Sequence, residues 1–175
     1  MIAFAPFMSS KPEHSLVETK INGLDFARDG RRLAGVFPLA RLGRLADMLL
    51  DTNGELQCEI RGERDQQQGS FLHVIVSGEL KLRCQRCLEQ MDYHLRVDSR
   101  LRLMRAGDEW PEDELEDDTS DAIEAGLEMA LLPLVEEEVL LAMPFAPSHD
   151  VCDPPAAVKQ DKESSPFAVL AKLKK

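Results

Sequence analysis

The feature that most constrains the fold of this chain is an alternation of apolar and polar residues in two neighbouring segments. In the first segment, the apolar residues that share one parity are Leu72, Val74, Val76, Leu80, Leu82 and Cys84. In the second segment they are Met91, Tyr93, Leu95, Val97, Leu101 and Leu103. Successive side chains of a β-strand point to opposite faces of a sheet, so each segment predicts a strand with one buried face.

A third and shorter alternation precedes these two segments. It covers residues 55–61, and its apolar members are Leu56, Cys58 and Ile60. Only short turns separate the three segments, whereas parallel pairing would require long crossover connections. The sequence therefore predicts a strongly curved antiparallel meander, with further short strands near residues 21–26 and 34–37. It leaves open whether the sheet closes into a barrel.

Two other segments predict helices beside this sheet. After Pro38, leucines recur at helical spacing at positions 39, 42, 45 and 49, which predicts an amphipathic helix of about three turns. From Asp121 to Ala142 apolar residues also recur about once per helical turn. Pro133 breaks or restarts this second helix, and Pro144 ends it. The predicted fold class is α+β, a curved antiparallel sheet (meander) with flanking helices and mobile termini.

Length and composition favour one domain with an extension at each end. The chain has 175 residues, and a single domain typically holds roughly 100–200. The predicted parts are a flexible N-terminal lead-in over residues 1–20, a single α+β domain over 21–152 that contains an acidic loop at 107–120, a linker over 153–164, and a short amphipathic segment over 165–175. In the last part, Ser165 can cap a helix whose apolar stripe is Phe167, Leu170 and Leu173.

Charge is unevenly divided along the chain. The formal net charge is -11, but residues 1–105 carry a balance of +2 and residues 106–175 a balance of -13. No Lys or Arg lies between Arg105 and Lys159. The whole-chain average argues against a nucleic-acid partner, yet binding depends on the electrostatic field at one face. Because the two halves differ in charge, each half of the chain is considered separately for the partner that it could bind.

The sequence favours a cytoplasmic protein with no membrane partner. Its apolar stretches are shorter than the roughly 20 residues that a membrane span requires. The N-terminal MIAFAPFMSS lacks the basic start and the long apolar run of a signal peptide. In a reducing compartment, cysteines are better interpreted as buried thiols or metal ligands than as a disulfide framework.

Two short motifs contain residue types that bind metal ions. Two thiolates three residues apart in a tight turn can converge on one ion, and an imidazole with a third thiolate completes a tetrahedral zinc site. The candidate ligands of a structural zinc are Cys84, Cys87, His149 and Cys152. Alternatively, Cys84 continues the inward parity of its strand and is an ordinary core thiol. A redox role fits less well, because strands rather than a βαβ unit flank the Cys-x-x-Cys motif. No other cofactor is indicated.

Basic residues concentrate around the predicted hairpin. The candidate nucleic-acid contacts are Arg83, Arg86, Arg96, Arg100 and Arg102. The last three share one sheet face, and guanidinium groups arrayed in this way can pair with phosphates. The alternative is a solvated sheet face that is neutralised by acidic neighbours, namely Glu79, Glu89, Asp92 and Asp98.

The sequence lacks the motifs of common enzyme classes. It contains no P-loop, no G-x-G-x-x-G, no G-x-S-x-G and no H-E-x-x-H. Glu136, Glu137 and Glu138 lie in a predicted helix, where consecutive residues diverge by about 100° and cannot form a carboxylate pair. A binding or assembly role is therefore expected rather than catalysis.

Five segments occur in a specific order along the chain. They are RLAGVFPLARLGRLADML, LKLRCQRCLEQMDYHL, an acidic loop, LVEEEVLLAMPFAPSHDVC and SPFAVLAKLK. This set closely resembles the bacterial YceD family, the large ribosomal RNA subunit accumulation proteins, over approximately residues 20–175. The most specific parts are CQRC, EEEVLLAMPFAPSH and the terminal PFAVLAKLK.

The resemblance implies a role in the synthesis, processing or stability of 23S ribosomal RNA, and hence in large-subunit assembly, without enzymatic activity. It implies no established metal role for the cysteines and the histidine. Our first hypothesis is a non-catalytic factor whose arginines contact 23S rRNA or its precursor. The alternative is an acidic interaction protein that holds a basic ribosomal protein or an RNA-processing nuclease without direct RNA contact.

Overall fold

The computed structural model describes residues 15–66, 69–108, 121–153 and 155. In chain order its elements are β1 Lys20–Ile21, α1 Gly23–Arg28, β2 Arg32–Pro38, a 3-10 turn Leu39–Arg41, α2 Gly43–Ala46, β3 Glu55–Arg64, β4 Ser70–Arg83, β5 Gln90–Met104, β6 Asp121–Glu124, β7 Met129–Ala130 and α3 Leu131–Ala142. Most of the predicted N-terminal lead-in, the acidic loop, the linker and the C-terminal segment lies outside the described residues.

Five strands form one sheet in the order β2-β3-β4-β5-β6. The first three pairs are antiparallel, and β6 joins β5 in parallel. The predicted α+β class and the antiparallel arrangement are confirmed, and the strand expected near residues 34–37 is β2. Within the described residues β2 and β6 do not pair with each other, so this sheet is open rather than closed into a barrel. A separate two-stranded sheet joins β1 to β7.

The two faces of the large sheet have different environments. Its inner face consists of the odd-numbered residues of β2 and β5 and the even-numbered residues of β3 and β4. Fully buried members of this face are Phe37, Leu56, Ile60, Leu72, Val74, Val76, Leu80 and Leu101. Helix α1 packs on β3 and β4, and α3 packs on β4 and β5, which places Phe26, Val135 and Val139 in the same core. The outer face, formed by the residues of opposite parity, carries exposed side chains such as Ser77 and Arg96.

The prediction of a three-turn helix after Pro38 is wrong. The segment instead forms a 3-10 turn and the four-residue helix α2, separated by Leu42 with φ -92° and ψ 83°. Gly43, which has a poor helix propensity, follows this break. The apolar spacing still identified core residues, since Leu39, Leu42 and Leu45 are buried. Tertiary packing, rather than a continuous helix, brings these leucines into the core.

The helix expected over Asp121–Ala142 begins ten residues later than predicted, at Leu131. The first part of that range forms β6 and β7 instead. Pro133 is the third residue of α3, where its missing N–H has no intrahelical acceptor to lose, so it lies in the first turn and breaks nothing. The helix ends before Pro144, as predicted. The strand expected near residues 21–26 is also largely wrong, because most of that range is α1.

Gly62 allows α1 to approach β3 closely. A Cβ atom at this position would lie 2.2 Å from the carbonyl oxygen of Phe26 and 2.7 Å from the Cα of Ala27. Both are backbone atoms, so they cannot move aside as a flexible side chain could. In contrast, a Cβ atom at Gly43 would meet nothing within 4 Å.

We expect Gly62→Ala to lower the free energy of unfolding by about 1–3 kcal/mol, the usual effect of overpacking. Gly43→Ala should be neutral or stabilising by up to about 1 kcal/mol, because it restricts the unfolded chain. Urea unfolding of both variants and the unmodified protein measures the difference. Equal stability of the two variants would contradict the close packing of α1 on β3.

Candidate metal centre and charged sheet face

Backbone hydrogen bonds within the turn and to a distant segment support the connection between β4 and β5. The N–H of Cys84 donates to the carbonyl of Glu89 at 2.9 Å, and the N–H of Leu88 donates to the carbonyl of Cys84 at 2.9 Å. Leu88 has a φ of 67°, a left-handed conformation that is uncommon outside glycine. The N–H of Gln85 donates to the carbonyl of Pro147 at 2.7 Å. This last bond joins the turn to the segment that follows α3.

The joined segments bring the four predicted ligands together. One ligand atom from each of Cys84, Cys87, His149 and Cys152 lies within 4.8 Å of the others. The sulfur atoms of Cys84 and Cys152 are 3.7 Å apart, and the Cys87 sulfur is 3.3 Å from Nδ1 of His149. We call these four residues the Cys/His cluster. The three sulfur atoms and the imidazole nitrogen of this cluster could together hold one metal ion.

Hydrogen bonds orient the Cys/His cluster. The backbone N–H groups of Arg86 and Cys87 each donate to the Cys84 sulfur at 3.4 Å. The Arg86 side chain donates to the Cys152 sulfur at 3.0 Å and to the His149 carbonyl at 2.8 Å. Nε2 of His149 lies 3.2 Å from the carbonyl oxygen of Gln90. The contact with Gln90 orients the imidazole ring of His149 so that its Nδ1 atom faces the sulfur atoms. Metal-binding histidines are commonly held in this way through their other ring nitrogen.

The same contacts favour the thiolate form of Cys84. Burial raises the pKa of this thiol, but donation by the backbone of Cys87, His149 and Arg86 outweighs burial and lowers the pKa to about 5. A thiolate is the form of cysteine that binds metal ions. The remaining cysteine, Cys58, has a pKa raised to about 12 by burial and by the neighbouring charge of Glu59. Cys58 therefore matches the description of an ordinary core thiol, whereas Cys84, although equally buried, contacts the other members of the Cys/His cluster.

The five candidate arginines do not form one patch. Arg86 contacts the Cys/His cluster, and Arg83 lies at the end of β4 next to it. Arg96, Arg100 and Arg102 lie on the outer face of β5. Arg83 pairs with Gln90, six residues before Arg96, which places the two about 20 Å apart along the strands. The three β5 arginines are therefore a separate feature from the other two.

The acidic residues that were expected to neutralise these arginines mostly contact other partners. Glu79 faces His94 at 3.5 Å, Asp92 faces Lys81 at 3.6 Å, and Asp98 contacts Nε2 of His73 at 2.6 Å. Arg100 lies over the ring of Phe71, with 3.8 Å from its guanidinium carbon to the ring centre. Its Nε is 3.7 Å from the Glu63 carboxylate.

Glu59 is a functional candidate that the sequence reasoning missed. Its side chain is 7% exposed and contacts both Arg32 and Arg61. Arg32 Nη2 donates to this carboxylate at 2.7 Å, and Arg61 Nε also donates to it. Alternation in β3 places Glu59 and Arg61 on the same outer face, but the burial of Glu59 and its contact with Arg32 depend on the pairing of β2 with β3. The sequence carries no direct signal of that pairing.

The three consecutive glutamates of α3 have separate contacts, as expected from helix geometry. Glu136 accepts hydrogen bonds from the backbone N–H groups of Arg44 at 2.8 Å and Leu45 at 3.2 Å. Glu137 pairs with the Arg44 side chain at 2.5 Å. Glu138 is buried, and burial raises its pKa despite a hydrogen bond with Ser99. Two of these glutamates fasten α3 to α2, so they are structural residues.

These features define a small α+β domain with a Cys/His cluster at one end and an open, charged sheet face. Residues 72–174 match the family model described as large ribosomal RNA subunit accumulation protein YceD. The chain belongs to this family, which confirms the resemblance. The match begins in β4 and includes the Cys/His cluster and β5. No solved structure is significantly similar to the chain. The described residues include no helix that is long and apolar enough to cross a membrane.

Burial raises the pKa of Glu59, but the hydrogen bonds and charges of Arg61 and Arg32 outweigh it and lower the pKa below its ordinary value. The stabilisation from this carboxylate is therefore present above the ordinary pKa of glutamate and is lost as pH falls through the lower, folded-state value. We expect Glu59→Gln to cost about 1–3 kcal/mol at pH 7 and much less at pH 3. Urea unfolding at both pH values measures the difference.

Glu18→Gln is the matched control, because it removes an exposed carboxylate that pairs with Arg41 at 3.0 Å. Exposed pairs contribute little to stability, so this control should unfold like the unmodified protein at pH 7. A Glu59→Gln effect that is the same at both pH values would contradict the assigned role of the carboxylate.

Proposed function

We propose that this protein is a non-catalytic factor that supports the synthesis, processing or stability of 23S ribosomal RNA in large-subunit assembly, and that it contacts 23S rRNA or its precursor directly. The family of the chain carries the first part of this proposal. The open outer face of β5 supports the second part, because its arginines are arrayed on a surface that no described helix covers.

The chemistry of the outer face suits a phosphate backbone. Arg96 is exposed, and Arg100 and Arg102 are half-buried on the same strand. Arginine pairs with phosphate oxygens through a planar set of N–H donors. The face also carries acidic groups, so binding would depend on local geometry rather than on a large positive potential. Contacts between arginine and phosphate release counterions from the RNA, so the affinity for RNA should depend steeply on salt concentration.

The Cys/His cluster supports a structural rather than a catalytic role. For zinc with Zn–S distances of about 2.3 Å, two sulfur ligands of a tetrahedral site lie roughly 3.8 Å apart. The 3.7 Å between the Cys84 and Cys152 sulfur atoms is close to this value. Three thiolates and one imidazole fill all four positions, and catalytic zinc sites keep one position open. A bound zinc would fasten the segment after α3 to the β4–β5 turn, and reduced thiols suit a cytoplasmic protein.

We expect purified protein to contain about one zinc ion per chain, since four protein ligands close a tetrahedral site. Cys152→Ser should lose most of this zinc, because it removes one of the three sulfur ligands. Cys58→Ala is the matched control and should keep the full zinc content. Elemental analysis by mass spectrometry measures all three proteins. Absence of zinc from the unmodified protein, or equal content in the two variants, would contradict the zinc proposal.

We expect the triple variant Arg96→Ala, Arg100→Ala and Arg102→Ala to bind a transcribed fragment of 23S rRNA precursor at least about three-fold more weakly. The slope of log affinity against log salt should decrease by about 0.7 for each phosphate contact that is lost. Fluorescence anisotropy at several salt concentrations measures both quantities.

The matched control for this experiment is the triple variant Arg28→Ala, Arg41→Ala and Arg44→Ala. It removes the same charge from arginines that pair with Asp25, Glu18 and Glu137, away from the sheet face. The control should bind RNA nearly as well as the unmodified protein. Equal affinity of the two triple variants would contradict the assignment of the RNA-contact face.

The uneven charge supports a second candidate function. Because the balance over residues 106–175 is -13, the C-terminal part of the chain suits a basic protein partner. In that case the protein would hold a basic ribosomal protein or an RNA-processing nuclease without touching RNA. Purified protein that binds basic large-subunit proteins but not the precursor RNA would support this second function and contradict direct RNA contact.

A further inference from the structure

We propose that an RNA backbone crosses the sheet along a row of basic side chains that the register aligns on the outer face, rather than following β5. The cross-strand row consists of Arg32, Arg61, His73 and Arg100. This inference rests on the proposed RNA contact and specifies its path. It also assigns RNA-contact roles to Arg32 and Arg61, which lie before the part of the chain that matches the family model.

The strand register places the four residues side by side. Arg32 of β2 lies opposite Arg61 of β3, Arg61 lies opposite His73 of β4, and His73 lies opposite Arg100 of β5. Neighbouring strands are about 4.8 Å apart, so the row spans roughly 14 Å across the sheet. The four side chains share one face, because directly paired residues point to the same side of a sheet.

Like charges in directly opposite positions destabilise a sheet, so the Arg32–Arg61 pair requires compensation. Glu59 supplies it, since its buried carboxylate contacts both guanidinium groups. One negative charge balances only one of the two arginines. The arrangement therefore holds two guanidinium groups in defined positions, and the charges of Glu63 and Asp98 also act on Arg61.

The three arginines retain N–H groups that can reach a ligand. A guanidinium has five N–H donors. Arg32 contacts Glu59 through Nε and Nη2, and Arg61 contacts it through Nε. The side chains of Arg32, Arg61 and Arg100 are 61%, 43% and 40% exposed. Contact with Glu59 and stacking on Phe71 restrict these side chains, which reduces the entropy lost when they bind a phosphate.

The line of arginines along β5 is less continuous than the cross-strand row. Asp98 lies between Arg96 and Arg100 on the same outer face, and those two arginines are about 13 Å apart along the strand. No carboxylate occupies a register position of the cross-strand row itself, although Glu59, Glu63 and Asp98 of the neighbouring rows contact its members. A phosphate backbone that crosses the strands would therefore meet guanidinium groups on β2, β3 and β5 and the imidazole of His73 on β4.

The two paths share only Arg100, so paired variants separate them. Arg32→Gln with Arg61→Gln removes two charges from the row, and glutamine can still donate a hydrogen bond to Glu59. Arg96→Gln with Arg102→Gln removes two charges from β5 alone. Arg28→Gln with Arg41→Gln removes two exposed, paired arginines elsewhere and is the control. All three are compared with the unmodified protein by fluorescence anisotropy on the precursor RNA fragment, after urea unfolding has shown that they are folded.

We expect the row variant to bind RNA about ten-fold more weakly, with a salt slope reduced by about one to one and a half. The β5 variant should stay within about three-fold of the control. If the row variant binds like the control while the β5 variant loses affinity, the row is wrong and direct RNA contact stands. If the unmodified protein does not bind this RNA, both proposals fail.

If the variant with both Arg32→Gln and Arg61→Gln does not fold, the single variant Arg32→Gln can be tested in its place. Arg32 lies on the edge strand β2 and is largely exposed, and Arg61 would still satisfy Glu59 in this variant. We expect about a three-fold loss of RNA affinity from this single change. Affinity equal to that of Arg28→Gln would overturn the cross-strand row.

Discussion

Coverage of the inner sheet face is the constraint on which the rest of the structure depends. Helix α3 covers β4 and β5, but it has only 12 residues and no side-chain N-cap, and a helix of this length is marginal by itself. Contacts at both ends compensate. The N–H of Leu131 donates to the carbonyl of Thr19 at 3.0 Å, and Glu136 bonds the backbone of α2. The segment after the helix is joined to the β4–β5 turn by hydrogen bonds from Gln85 to Pro147 and from Arg86 to His149.

Because the helices cover one face, the other face is free to carry charged groups. Most charged groups on the outer face lie in small networks, and the most buried of these is centred on Glu59. This carboxylate makes two opposed arginines compatible with a stable sheet. The charge balance over residues 1–105 is only +2. This small number does not reveal that several guanidinium groups are held in defined positions on the outer face.

The strands and the candidate ligand types could be predicted because their signals are local, whereas the convergence of Cys87 and His149, 62 residues apart, required the fold. Period-two alternation identified β3, β4 and β5, and residue type identified Cys84 and its three partners. The helix bounds were less predictable. Leucine spacing after Pro38 reported burial correctly, but it could not show that the chain turns at Leu42. The contact of Glu59 with Arg32 was not predictable, because it depends on the register between β2 and β3, which no local pattern specifies.

The central claim is that the inner face and the Cys/His cluster maintain the fold while the outer face meets RNA. Ultraviolet crosslinking of the protein to ribosomal RNA in growing cells, followed by mass spectrometry of the attached peptides, tests this division most directly. The account predicts crosslinks to 23S precursor RNA at outer-face residues of β2, β3, β4 and β5. Crosslinks confined to α3 and the segment that follows it, with none on the sheet, would contradict the account.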